Sequence, residues 1–237
     1  MSGSSWWPRM KKVAVFVLLA GLCILAAAAQ TKNYYFPEVR TEIAVEKDGG
    51  FLVEEFRTYE FQGSFSWTDL RIPLAVTRSG RSVRATLTDF AVSDESGRPL
   101  ATETGLVDGA FQAKWFYSAR NERRTFRIRY RIRGGIRTYP DVTELYWQVI
   151  GDGWDRPTKK VTIDVRLPEP LGSRAALKVW GHGPLTGRAE IVDERTARFT
   201  AVDVRSRQYV EIRVLWPSGI VSGVPSTGES LASIERD

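Results

Sequence analysis

The sequence predicts an all-β fold, an antiparallel, immunoglobulin-like β-sandwich that follows an N-terminal signal or anchor segment. Short segments of alternating apolar and polar residues recur along the chain, separated by clusters of Gly, Pro, Asp and Ser. No stretch repeats its apolar residues at the i, i+3, i+4, i+7 spacing of an amphipathic helix. Many short strands without intervening helices favour two packed sheets. A partly closed barrel is the alternative.

Residues 1–29 have the features of a secretion signal. Arg9, Lys11 and Lys12 precede an apolar run from Val13 to Ala29, and the alanines at its end are the small residues that a signal peptidase accepts. The run is at the lower limit of length for a membrane span, so an uncleaved N-terminal anchor is the alternative. We expect an exported protein, periplasmic or extracellular, which the N-terminal segment or a region beyond this sequence could tether to the membrane.

The charge balance becomes weak once this segment is removed. The remaining chain has 31 basic and 28 acidic residues, a net charge of +3. Binding to nucleic acid needs basic residues gathered on one surface, and so small a bias does not indicate it. We therefore expect no nucleic-acid partner.

The counts of cysteine and histidine exclude several kinds of chemistry. Cys23 is the only cysteine and lies within the signal, so the mature chain can form no disulfide and no cysteine zinc site. His182 is the only histidine, which rules out a Ser–His–acid triad, Cys–His catalysis and paired histidine ligands. Ser–Lys and two-carboxylate mechanisms stay open. We expect no cofactor, no metal and no enzymatic activity, and we interpret His182 as a loop residue.

The individual strands follow from alternation and from turn residues. Residues 39–46 and 51–61 flank Lys47–Gly50, where Asp and Gly tolerate the positive φ of a tight turn, and together they predict a hairpin. Residues 125–134, 161–167 and 210–216 alternate clearly, and the last two segments are ended by prolines. Further strands are predicted at 65–74, 83–93, 111–117, 145–150, 176–180, 190–192 and 197–201.

The composition changes at Pro217. The residues that follow are rich in Ser, Gly, Pro and Thr, and such a stretch buries too little apolar surface to stay folded. We predict a β-sandwich domain over residues 34–216 and a disordered tail or linker over 217–237.

Four carboxylates cluster in the sequence at Asp141, Glu144, Asp152 and Asp155. Oxygen ligands on a turn can hold Ca²⁺, but the spacing is not that of an EF-hand, and Asp readily caps turns through hydrogen bonds to nearby backbone N–H groups. The same groups could supply the acid and the nucleophile of a glycosidase. Aromatic residues nearby could stack on a sugar or pack in the core, with the core favoured for Trp147: Trp115, Phe116, Tyr117, Tyr146, Trp147 and Trp154.

An arginine ladder runs along one face of the strand near residue 130. Arg127, Arg129, Arg131 and Arg133 place like charges about 7 Å apart. Such a face could grip phosphate or carboxylate groups, so an anionic envelope polymer or a lipid headgroup is the candidate partner. The alternative is an ordinary solvated face that acids on neighbouring strands neutralise, namely Glu42, Glu46, Glu54 or Glu60.

Several segments together resemble a known family. They are the hairpin from Ile43 to Glu55, the run from Phe61 to Phe65, the strand from Thr125 to Ile132 and the run ELYWQVIGDGWDRP from Glu144 to Pro157. Their order is similar to that in the N-terminal extracytoplasmic domain of the predicted bacterial membrane proteins of domain of unknown function 2207 (DUF2207). The resemblance covers about residues 34–216, and the last run is its most specific part.

The resemblance implies an exported β-domain, usually followed by transmembrane helices and a glycine-rich tail, and it implies no particular reaction. No second apolar span occurs before Asp237, which puts the family's mode of membrane attachment in doubt for this chain. We therefore expect a non-enzymatic extracytoplasmic module that binds or spaces components of the bacterial cell envelope. A carbohydrate-active hydrolase that uses two of the four carboxylates is the alternative.

Overall fold

The computed structural model describes residues 32–78 and 81–224. The predicted signal or anchor, residues 1–29, lies outside the described residues. Strands and turns make up the described region, in which the one helix is a single 3₁₀ turn at Arg174–Ala176. The all-β prediction is confirmed.

Sixteen strands make up the described fold, and most of them coincide with the predicted segments. In chain order they are β1 (Asn33–Val45), β2 (Phe51–Gln62), β3 (Ser64–Pro73), β4 (Ala75–Arg78), β5 (Arg81–Arg84), β6 (Thr86–Ser93), β7 (Thr102–Val107), β8 (Ala110–Arg120), β9 (Arg123–Arg133), β10 (Ile136–Thr138), β11 (Val142–Ile150), β12 (Thr158–Arg166), β13 (Lys178–His182), β14 (Arg188–Ile191), β15 (Thr196–Val204) and β16 (Val210–Pro217).

A seven-stranded sheet forms one layer, in the order β14-β15-β12-β1-β2-β9-β6. Its pairs are antiparallel except for β1 and β12, which run parallel with Phe36 opposite Thr158. Parallel neighbours need a long connection, and more than a hundred residues separate these two strands. Since β2 already pairs with β9, β12 adds to the open side of β1 and brings β15 and β14 with it.

Two smaller sheets cover one face of this layer. Their orders are β3-β8-β7 and β10-β11-β16-β13. Trp115 of β8 lies edge-on to Phe126 of β9, with ring centroids 5.8 Å apart, and Trp147 of β11 lies edge-on to Phe51 of β2 at 5.2 Å. Both small sheets therefore pack on the same face of the large sheet, and the predicted sandwich arrangement is confirmed. The strands β4 and β5 form a separate hairpin.

The first hairpin forms as the sequence predicts. Gly49 has a φ of 78°, and the Asp48 side chain accepts a hydrogen bond of 3.0 Å from the backbone N–H of Gly50. Residues 218–224, which the sequence assigns to the tail, lie against this turn, since the Ser222 N–H donates to the Lys47 carbonyl at 2.8 Å. Residues 225–237 lie outside the described part of the chain.

Two predicted strands are interrupted or begin late in the structure. The predicted strand 83–93 is interrupted at Ala85, whose N–H donates to the carbonyl of Leu74, so that β5 ends and β6 begins there. The predicted strand 176–180 begins only at Lys178. Ser173 caps a 3₁₀ turn just before it through a hydrogen bond from the Ala175 N–H. Local hydrogen bonds therefore override the alternation at both places.

Candidate functional site

The layer made by the two small sheets is split by a cleft. On one side β3 is the edge strand of its sheet, because it pairs only with β8. On the other side β10 covers only Thr143–Leu145 of β11, so within the described chain no strand pairs with that edge of β11 from Tyr146 to Ile150. Within the described chain, two strand edges that pair with no other strand therefore border the cleft.

The central cleft lies along β3 and opens beside the loop at residues 151–155. It encloses about 260 Å³, and a smaller recess of about 10 Å³ extends it towards Gln148 and Val149 of β11. Residues of β1 and β2 form the floor, β3 forms one wall and the loop forms the other. The lining residues are Tyr34, Phe36, Arg57, Tyr59, Thr68, Asp69, Leu70, Arg71, Pro73, Gly151, Asp152, Gly153, Trp154 and Asp155.

The floor of the cleft contains a buried ion pair. Glu55 and Arg57 point inward from β2, and their side chains are 2% and 3% exposed. The Nε and Nη2 atoms of Arg57 both donate to Oε2 of Glu55 at 2.7 Å. The Tyr130 hydroxyl donates to the other carboxylate oxygen at 2.8 Å. Burying two charges is costly unless each is paired and hydrogen-bonded, and this pair meets both conditions.

Three of the groups around the Glu55 carboxylate have raised pKa values. Burial lowers the pKa of Arg57, but the adjacent Glu55 carboxylate outweighs that effect and raises the pKa above its usual value. Burial, followed by the charge of Glu55, raises the pKa of Tyr130 well above its usual range. Burial likewise raises the pKa of Tyr59. Arg57 therefore stays charged, and both tyrosines keep their hydroxyl protons, near neutral pH.

The loop Gly151–Asp155 holds its tryptophan over this floor. The guanidinium carbon of Arg57 lies 4.1 Å from the centre of the Trp154 ring, and the Phe36 ring lies 4.8 Å away. The Trp154 carbonyl accepts a hydrogen bond from the Arg207 N–H, which fixes the loop. The cation–π contact thus couples the loop to the buried ion pair.

The four predicted carboxylates do not form one cluster. Asp152 and Asp155 line the cleft, and Asp155 accepts a hydrogen bond of 3.3 Å from the Tyr34 hydroxyl. Asp141 lies at the far end of β11, where its carbonyl accepts from the Ser218 N–H. Of the described residues, no three His, Cys, Asp or Glu side chains are grouped as a metal site would need.

Glu144 belongs to a second buried ion pair, which lies in the smaller four-stranded sheet. Arg213 Nε donates to Glu144 Oε1 at 2.7 Å, and the Tyr139 hydroxyl donates to Oε2 at 2.8 Å. Burial, followed by the charge of Glu144, raises the pKa of Tyr139 to about 12. The side chains of Glu144 and Arg213 are 2% and 7% exposed, so this pair has a structural role.

The aromatic residues considered for sugar stacking divide between core and cleft. Trp147 is buried, as predicted, and Trp115 is buried as well. Trp154 alone of the tryptophans in that set lines the cleft. Tyr146 lies near His182, with ring centroids 5.9 Å apart, and its hydroxyl donates to Glu211. The aromatics therefore do not form one exposed platform.

Acids on neighbouring positions neutralise most of the arginine ladder. Salt bridges pair three of the four arginines with acidic side chains: Arg127 with Glu54, Arg131 with Glu46 at 2.9 Å and Asp89 at 3.8 Å, and Arg133 with Asp48 at 2.7 Å. Of the predicted acids, Glu60 pairs instead with Arg123 and Glu42 with Arg40. Arg129 is exposed and has no acidic partner among the described residues. Anion binding by the ladder stays a prediction, and it rests mainly on Arg129.

Comparison with family models decides which family the chain belongs to. The model of the predicted membrane protein (DUF2207) N-terminal domain matches residues 35–216. The chain is a DUF2207 protein. The matched region runs from β1 to the last residues of β16 and contains every residue that lines the cleft except Tyr34. Within the described part of this DUF2207 chain, no helix combines the length and the apolar character needed to cross a membrane.

Solved structures similar to the DUF2207 domain share only about a tenth of its sequence. The M1 zinc metallopeptidase from Deinococcus radiodurans aligns at 11% identity and a TM-score of 0.42, over 76% of this chain and 42% of its own. Native leukotriene A4 hydrolase from Saccharomyces cerevisiae aligns at 10% identity and a TM-score of 0.48, over 78% and 30%. The DUF2207 chain thus spans less than half of either enzyme. No curated protein matches the sequence.

The residues at the floor of the cleft in this DUF2207 domain were not identified from the sequence, although a signal for them exists. The inward positions of β2 are Phe51, Val53, Glu55, Arg57, Tyr59 and Phe61. Two charged residues in the middle of an otherwise apolar face break the alternation. Buried charged residues need hydrogen-bonding partners, so such an interruption indicates a polar site inside the core.

Proposed function

We propose that this DUF2207 domain is a non-enzymatic module of the bacterial cell envelope, which works outside the cytoplasm and binds an envelope component in the central cleft. The observation that carries the proposal is the floor of the cleft, where Glu55 and Arg57 neutralise each other. Charges that are already paired give a fixed polar surface, which suits recognition better than proton transfer. Asp155 on the wall is paired as well, with Arg156 at 3.3 Å.

Export is the part of this proposal that is easiest to test. It is supported by the basic and apolar pattern of residues 1–29 and by the description of the family as membrane proteins. Mass spectrometry of the protein recovered outside the cytoplasm should find an N-terminus at Gln30 or within a few residues of it. An intact N-terminal segment in the membrane fraction would indicate an anchor, and a protein confined to the cytoplasm would refute the proposal.

Binding without turnover is the test of the module itself. The full chain is incubated with fractions of isolated envelope, one rich in polysaccharide, one in lipid and one in protein, and both bound protein and released products are measured. We expect saturable binding to one fraction and no product. A chain that binds none of the three fractions would refute the module.

A two-carboxylate hydrolase is the second candidate, because Asp152 and Asp155 both line the cleft. Hydrolysis of a sugar needs one carboxyl group on each side of the bond. These two residues share one wall, so a hydrolase would pair one of them with Asp69 on the opposite wall. Turnover of a panel of glycans that disappears in the Asp69→Asn, Asp152→Asn or Asp155→Asn variants would establish this candidate and overturn the first.

A further inference from the structure

The free edge of β3 shows what kind of ligand the central cleft would take. In an antiparallel pair each strand directs the N–H and C=O groups of every second residue towards its partner and those of the others away from it. Because β8 lies on one side of β3 only, the remaining groups between Thr68 and Pro73 face away from β8. Five of these six residues line the cleft, which places the open edge of the strand along its wall.

The opposite wall offers a matching main chain. The smaller recess connects the β3 wall to Gln148 and Val149, which lie on the part of β11 that no described strand covers on that side. Gly151 and Gly153 continue this wall, and around Gly153 nothing lies within 4 Å of the position that a Cβ atom would occupy. A strand between β3 and β11 would find backbone on both sides, and its own alternating N–H and C=O groups would match those of the two edges.

The charges on the rim of the cleft favour basic side chains in a bound strand. Asp69 and Asp152 line the cleft from opposite walls, and neither has an ion-pair partner among the described residues. Lys114, the residue opposite Asp69 on β8, directs its ammonium group over the Trp67 ring instead, 4.5 Å from the ring centre. Arg71 is the one unpaired cation on the described rim, so the unpaired groups carry a net negative charge.

We propose that the central cleft binds an extended polypeptide segment of a partner protein, which adds as a strand to the free edge of β3 and places a lysine or arginine between Asp69 and Asp152. This inference rests on the proposed binding function and names the class of partner. The buried pair of Glu55 and Arg57 then has a role, since it gives the strand a polar, hydrogen-bonded floor. Pro73 ends the free edge, because it has no N–H group to offer.

The test uses the full chain, isotope-labelled, and the blocked peptide acetyl-Val-Lys-Val-Lys-Val-amide as the probe. Titration followed by NMR should give saturable shifts that are confined to the amides of residues 68–72 and 148–155. A second peptide of the same sequence has its valine nitrogens methylated, which removes N–H donors but keeps the charge. We expect it to bind at least about tenfold more weakly, because strand addition depends on main-chain hydrogen bonds.

Charge variants separate strand addition at this site from general attraction. The double variant Asp69→Asn with Asp152→Asn should weaken binding by about three- to tenfold at low salt and by less at high salt. Asp108→Asn, in the turn between β7 and β8, removes one carboxylate charge away from the cleft and should leave binding unchanged. The peptide with glutamate in place of lysine should bind no more tightly to the parent than the methylated one.

Several outcomes would overturn the inference. Equal binding of the methylated peptide would show that the main chain is not recognised, and absence of saturable shifts at millimolar peptide would show that no strand is accepted. Shifts of the same amides that depend on protein concentration alone would show that a second copy of the chain fills the cleft. If an envelope fraction still binds, each of these results refutes strand addition but leaves the proposed binding function intact. Failure of the inference can therefore be distinguished from failure of the proposed function.

Discussion

Breaking the ion pair on the floor of the cleft should destabilise the domain strongly. In Arg57→Met the methionine fills most of the space of the arginine stem, but Glu55 loses its cationic partner in a site where it is 2% exposed. The contacts from Nε and Nη2 are lost, and of the donors described above only the Tyr130 hydroxyl remains. Removal of one partner of a buried pair costs about 3–5 kcal/mol, a large part of the about 5–15 kcal/mol that stabilises a domain.

A matched control isolates the effect of burial. Arg123 and Glu60 form a salt bridge of almost the same length, 2.8 Å, but their side chains are 62% and 29% exposed. Arg123→Met should therefore cost only about 0–1 kcal/mol. Adding Glu55→Gln to Arg57→Met should recover at least half of the lost stability, because glutamine can still accept the Tyr130 hydrogen bond and brings no buried charge.

Urea unfolding of the four proteins measures these differences. The midpoints give the free energies of unfolding, and an unchanged m-value shows that each variant unfolds from the same compact state. The reasoning is refuted if Arg57→Met costs no more than Arg123→Met, or if the second substitution recovers nothing.

Four further results are expected. Trp147→Ala should cost about 3–5 kcal/mol in urea unfolding, because the ring packs against the core, and a cost below about 1 kcal/mol would place it at the surface. Gly183→Ala should cost more than about 1 kcal/mol, since φ is 134° and the Tyr209 carbonyl oxygen lies only 2.3 Å from the position that a Cβ atom would take, and equal stability would contradict this geometry. A hydrogen bond from Ser96 is the largest cause that lowers the pKa of Asp94 to about 2. The stability that this carboxylate gives should therefore be present above the unfolded pKa of about 4 and disappear as the pH falls through about 2, and an NMR titration midpoint near 4 would exclude it. Vesicles of anionic lipid should bind at about 0.01 M salt and be released at about 0.15 M. Arg129→Ser should abolish that binding, and unchanged binding would exclude the ladder.

The sequence predicts the strands that bury one face and misses those that do not. The alternation of β9, β12 and β16 is visible because each has a face in the core. All six residues of β7 are exposed, so no alternation identifies it as a strand. The strand β10 has only three residues and β4 only four, too few for a period to be recognised.

The candidate site is predictable only in part. The run around Trp154 stands out in the sequence and does form one wall of the cleft. The other wall, from Thr68 to Pro73, can be recognised only once the order of strands in the sheet is known. An alternating segment predicts a strand, but it does not show that the strand lies at the edge of a sheet. Arg57 and Glu55 lie two residues apart on the same face of one strand, so their pairing is local. The burial of this ion pair, by contrast, depends on the packing of sheets whose strands lie far apart in the sequence.

The parallel pairing of β1 with β12 has a consequence for when the domain can fold. The hairpin of β1 and β2 can form as soon as its residues are available, but three of the seven strands in the large sheet join on the far side of β1 and end only at Val204. Contacts over such separations close slowly, because the loop entropy is lost before the pairing compensates for it. A chain threaded through a membrane from its N-terminus would thus stay incomplete until almost all of it had emerged. Until then the unpaired edge of β1 would be open to pairing with strands of other chains. The yield of folded protein should therefore depend on a chaperone that covers this edge.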